Sequence, residues 1–88
     1  LEQLMKELWR RRVTSVFVEG GGEVIGSFVD AGLVDRMYAF TAPMVIGGKE
    51  SRPAVAGIGC EKVSGAMLLV EVERIVLGPD LLTTGRVA

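Results

Sequence analysis

The chain has 88 residues, 12 of them glycine, with 10 basic against 11 acidic side chains, a formal net charge of −1, one cysteine and no histidine. That length holds one domain at most, and the balanced charge offers no polycationic face for nucleic acid or for an anionic membrane surface. Without histidine, and with Cys60 alone, intramolecular disulfides, the usual thiolate–imidazole zinc sites and Ser–His or Cys–His catalysis are all excluded.

Residues 1–12 carry Leu1, Leu4, Met5, Leu8 and Trp9, the i, i+3, i+4, i+7, i+8 spacing of one apolar helix stripe. This predicts a helix with Trp9 as a core anchor and Arg10, Arg11 and Arg12 at its C-terminal end, where cations complement the macrodipole. Residues 13–18 are short, β-branched and aromatic, apolar on both faces, and predict a buried parallel strand. After Gly20-Gly21-Gly22, the apolar residues Val24, Ile25, Phe28 and Val29 return to helical spacing, and Gly32 stands where a helix C′ glycine belongs. Residues 36–46 resume a strand pattern, with Pro43 arguing for an edge or a bulge. Strand, helix and strand predict a right-handed βαβ unit. Beyond the glycine-rich stretch 47–59, two strand-like runs at 66–77 and 81–87 flank Gly78-Pro79-Asp80, a hairpin signal. The expected architecture is α/β, a mixed sheet with a βαβ core followed by a C-terminal antiparallel hairpin.

The segment "EGGGEVIGS", residues 19–27, carries the chemistry. A glycine turn leading into a helix presents free backbone N–H groups at the positive end of the helix dipole, and the missing side chains let a phosphate approach. The same glycines also suit a tight turn and close packing, and these readings stay open at this point. It is not a P-loop, since Gly26 is followed by Ser27-Phe28 instead of Lys and Ser or Thr. It is not a Rossmann fingerprint either, because with Gly20 as the first position and Gly22 as the third, the sixth is Ile25, and Gly26 comes one place late. Glu19 would repel a phosphate placed directly against it, so an anion site requires its carboxylate to face elsewhere, toward substrate hydroxyl or amino donors, water or an arginine.

The ordered set V-E-G-G-G, A-G-L-V-D, A-P with a paired glycine, and L-L-T-T-G-R-V resembles the C-terminal reductase domain of the riboflavin-biosynthesis deaminase/reductase over nearly the whole chain. The resemblance implies a dihydrofolate-reductase-like fold. It also implies NADPH-dependent reduction of the ribosyl group of 5-amino-6-(5-phosphoribosylamino)uracil to its ribityl form. Carried over by position, it implies that Gly21, Gly22, Glu23, Val24, Ile25, Gly26 and Ser27 lie along the dinucleotide phosphates and that Glu19 contacts the sugar-phosphate substrate. No general acid and no metal are implied. The family's reductase domain is considerably longer than 88 residues, so the expectation is a C-terminal portion, residues 1–88, inactive by itself.

Apolar residues make up 49% of the chain and mean hydropathy is +0.40, high where surface is so large a share of the molecule. Faces covered by something else are expected, and with them a homo-oligomer. No run approaches the ~20 apolar residues that cross a bilayer, so neither nucleic acid nor membrane is an expected partner and the cytoplasm is the expected compartment. Two other functions fit the same pattern: a non-catalytic nucleotide-binding or dimerisation module, and a different dihydrofolate-reductase-like reductase. Lys49 and Arg52 are positional candidates for a cofactor 2′-phosphate.

Overall fold

A computed structural model describes residues 1–88. In chain order it contains helix α1 (Glu2–Arg10), helix α2 (Gly22–Asp30), strand β1 (Arg36–Thr41), a 3-10 turn (Val63–Gly65) and strands β2 (Leu69–Leu77) and β3 (Asp80–Val87). These fall into two compact units. One comprises Leu1–Leu33 with Arg52–Gly59, the other Val34–Ser51 with Cys60–Ala88.

In the first unit both helices form where the apolar spacing places them, and both end in the same backbone motif. At α2 the Gly32 N–H donates to Val29 O (3.1 Å) and the Leu33 N–H to Phe28 O (3.0 Å), with Gly32 at φ +68°. That is a Schellman cap with glycine at its left-handed position. At α1 the Arg12 N–H donates to Trp9 O (2.8 Å) and the Val13 N–H to Leu8 O (2.9 Å), with Arg12 holding φ +64°. An arginine there bears the steric cost that glycine avoids. Glu7 accepts from Arg10 (2.9 Å) and Arg11 (3.0 Å), and the two guanidiniums, Arg10 first, hold its carboxyl below the usual glutamate range.

Residues 13–18 differ from expectation: they join no β-ladder. A strand exists only through a neighbour that completes its hydrogen bonds, and none of the three strands pairs with this run. The expected βαβ unit and parallel pairing are therefore not formed. Trp9, expected in the core, is 70% exposed, and α1 buries no residue, with Met5 and Leu8 of its stripe only half-buried.

The second unit is a three-stranded, wholly antiparallel sheet in the order β1-β3-β2. The hairpin appears where Gly78-Pro79 predicts it. Leu77 pairs with Asp80 across a two-residue turn in which Gly78 has φ +60°, the glycine-first geometry that matches strand twist. β1 is an edge strand and stops at Thr41, short of the expected residue 46. Pro43 has no N–H to extend the ladder, and the Met44 N–H turns back to Ala42 O (2.8 Å). In β2 the register shifts by one residue between Val70 and Glu73, and Glu71 sits at φ +53°. This bulge lies opposite Gly85. A Cβ on Gly85 would fall 3.0 Å from the Leu69 Cβ and 3.2 Å from Val70 O, so the glycine of "TTGRV" makes room for the bulged strand. The Glu71 carboxylate pairs with Arg86 (3.2 Å), and Arg36 donates to the hydroxyl of buried Thr84 (3.3 Å).

Candidate functional site

The glycine turn lies in the first unit. Gly20 (φ +78°) and Gly21 (φ +91°) both occupy the left-handed half of backbone space, and the positions of their missing Cβ atoms are open. Gly21 is the N-cap of α2, and no side chain caps the helix. The first N–H to return to the turn is that of Ile25, which donates to Gly21 O (3.2 Å). The N–H groups of Gly22, Glu23 and Val24 thus form the uncapped positive end of the helix, beside a turn that a ligand can approach closely.

Gly22 and Gly26 serve another purpose. A Cβ on Gly22 would lie 2.5 Å from Pro53 O, and one on Gly26 would lie 2.2 Å from Ala56 O and 2.9 Å from Gly57 N. Residues 53–57 pack backbone-on-backbone against this face of α2, and the Ala56 N–H donates to Gly22 O (2.9 Å). Four residues apart, the two glycines share a helix face, and their missing side chains are what let the loop descend onto it. The spacing that looks like a ligand cradle is here partly a docking groove for the chain's own backbone.

The remaining predicted residues divide in the same way. Glu23 and Val24 are exposed at the helix start, while Ile25 is half-buried. The Ser27 hydroxyl donates back to Glu23 O (2.9 Å), a bond within the helix that leaves only its lone pairs for another partner. Glu19 is exposed and holds no arginine. Lys49 and Arg52 are exposed and make no ion pair. No three His, Cys, Asp or Glu side chains gather as a metal site, and no helix is long and apolar enough to cross a membrane.

Asp30 and Gly57 were not among the expected functional residues. The Asp30 carboxylate accepts from the Ile58 N–H (2.8 Å) and the Gly59 N–H (3.1 Å), one on each oxygen. Gly57, at φ +89°, lies so close that a Cβ would be 2.5 Å from Asp30 Oδ2. A sequence signal for this existed. Asp30 is the last residue of α2, whose final turn carries no basic residue, and an acid there opposes the helix dipole by ~0.3–1 kcal/mol. Such a placement calls for a compensating partner.

Residues 1–82 match the family described as RibD C-terminal domain. A riboflavin biosynthesis protein RibD from Synechocystis is 34% identical over 90 residues, covering 97% of this chain and 24% of the relative. A protein named 2,5-diamino-6-ribosylamino-4(3H)-pyrimidinone 5′-phosphate reductase, from Methanothermobacter thermautotrophicus, is 32% identical over 82 residues, covering 93% of this chain and 38% of the relative. The chain therefore spans between about a quarter and two fifths of the length of these curated relatives. The solved structure of Acinetobacter baumannii RibD superposes with a TM-score of 0.85 over 100% of this chain and 25% of that one, at 21% identity, which establishes a shared fold over that region. With a sequence match running from the first residue to the middle of β3, the chain belongs to the RibD C-terminal domain family.

Proposed function

We propose that this chain forms part of the cofactor and substrate wall of an NADPH-dependent reductase of riboflavin biosynthesis, one that reduces the ribosyl group of 5-amino-6-(5-phosphoribosylamino)uracil to ribityl. The observation that carries the reading is the open, left-handed Gly20-Gly21 turn running directly into the uncapped N-terminus of α2, a surface built to receive a phosphate. Family membership supports a reductase, and the name of the Methanothermobacter relative supports a pyrimidine ribosyl-phosphate substrate. The dihydrofolate-reductase-like arrangement, a cytoplasmic location and a homo-oligomer belong to the same reading. The last is favoured by Val45 and Ile46, which are 96% and 85% exposed.

In this assignment the backbone from Gly21 through Val24 takes the dinucleotide phosphates. Ile25, Gly26 and Ser27 shape the helix behind them, and Glu19 hydrogen-bonds substrate hydroxyl or amino groups. When bound, NADPH supplies the hydride, while the protein orients it and excludes water. Gly21 and Glu19 test the division of labour in the longest natural form of the chain. Gly21→Ala adds a methyl group where the chain itself leaves open space, so NADPH binding, followed by fluorescence, is expected to weaken by ~10-fold. Glu19→Gln is expected to leave NADPH binding within about twofold and to lower kcat/KM for the ribosyl substrate by ~10- to 100-fold, or ~1.4–2.8 kcal/mol. If both variants lower only thermal stability, the turn and the acid are packing features and the assignment fails.

A further inference from the structure

Residues 52–59 are joined to α2 by three hydrogen bonds, and Asp30 accepts two of them. Successive N–H groups following a left-handed glycine form a concave anion receptor. Here Gly57 (φ +89°) is followed by the Ile58 and Gly59 amides, and the anion is the chain's own carboxylate. The third bond, from the Ala56 N–H to Gly22 O, lies at the other end of the helix. Gly22, Gly26 and Asp30 are spaced i, i+4, i+8, so the loop runs along one face of α2 for roughly 12 Å.

The peptide unit that contains Gly22 O also contains the Glu23 N–H, one of the uncapped donors of the helix start. Fixing the carbonyl fixes the plane of that peptide and hence the aim of the N–H. A hydrogen bond to the oxygen also polarises the N–H and strengthens it as a donor. We propose that Asp30 is a positioning residue for the cofactor: by clasping the Ile58 and Gly59 amides it latches residues 53–59 onto α2, and through the Ala56–Gly22 bond it orients the Glu23 amide toward the dinucleotide phosphate. This rests on the reading of the glycine turn as the cofactor site. It explains why an acid occupies a helix end that disfavours it, and why Gly57 leaves no side chain against that acid.

The test uses Asp30→Ala, Asp30→Asn and Gly57→Ala in the longest natural form of the chain, with hydrogen exchange read at Ala56, Ile58 and Gly59 beside steady-state kinetics. Asp30→Ala is expected to speed exchange at all three amides and to raise KM for NADPH by about 5-fold, with kcat within about twofold of the parent. Asp30→Asn keeps one acceptor oxygen and is expected to fall between. Gly57→Ala, which drives a methyl group against the carboxylate, is expected to reproduce the alanine effect without removing the acid. Exchange at residues 58 and 59 that does not change in Asp30→Ala overturns the latch. Faster exchange with an unchanged NADPH KM overturns the link to the cofactor, as does a loss of folded protein with no change in KM. Failure of the parent enzyme itself to bind NADPH sinks the reading on which the inference rests, and the exchange data then report separately on whether the latch exists.

Discussion

The two helices make an informative pair. Each has nine residues, an apolar stripe at helical spacing and a Schellman cap, yet α1 buries nothing while α2 buries Gly26 and Phe28, the latter only 7% exposed. The stripe of α1 is the larger of the two, with three leucines, a methionine and a tryptophan. Size of stripe does not decide burial. The Gly22–Gly26 face of α2 is covered because those two glycines let the backbone of 53–57 approach within contact distance and because Asp30 holds the end of that loop; Phe28, two residues on from Gly26, is buried on the other side of the helix. An amphipathic pattern states which face of a helix avoids water; what covers the face depends on residues far away in the chain.

The sharpest way to break this comparison is to truncate one aromatic on each helix. In urea unfolding of the chain, Phe28→Ala is expected to cost about 3 kcal/mol, the lower end for a buried phenylalanine, whereas Trp9→Ala should fall within about 0.5 kcal/mol of the parent. A Trp9 cost equal to that of Phe28 shows that another molecule or further chain covers α1.

Gly26→Ala tests the docking explanation through its sign. Helix propensity alone predicts a gain of ~1 kcal/mol for glycine to alanine inside a helix. A Cβ placed 2.2 Å from a backbone oxygen instead predicts a loss of ~2 kcal/mol by overpacking. A stabilised Gly26→Ala protein, measured by the same unfolding, means that the loop moves aside at no cost and that its seat on α2 is incidental.

The smallest expected effect compares the caps. Arg12 and Gly32 occupy equivalent left-handed positions, at φ +64° and +68°. Arg12→Gly should therefore stabilise the chain by ~0.5–1 kcal/mol, since glycine relieves the Cβ clash. A neutral or destabilising outcome, seen as an unchanged or lowered melting temperature, assigns Arg12 a compensating role beyond the cap.

Local chemistry by itself determined both helices, their caps and the hairpin, because each depends on residues within a few positions of one another. The i, i+4 stripes, Gly32 and Gly78-Pro79 all appear where short-range sterics place them. The ordered motifs also pointed to the family. Pairing was decided by tertiary structure, since a ladder requires a partner that local sequence does not name. Residues 13–18 have strand composition and no strand, β1 pairs with β3 antiparallel instead of forming a parallel βαβ core, and a bulge at Glu71 depends on Gly85 across the sheet. The candidate site divides along the same line. The free helix start after Gly20-Gly21 was legible because a cap is local. That Gly22 and Gly26 face residues 53–57, and that Asp30 clasps the amides of Ile58 and Gly59, was not, because these contacts join positions 28 or more residues apart, and only the folded backbone brings such distant groups within hydrogen-bond reach.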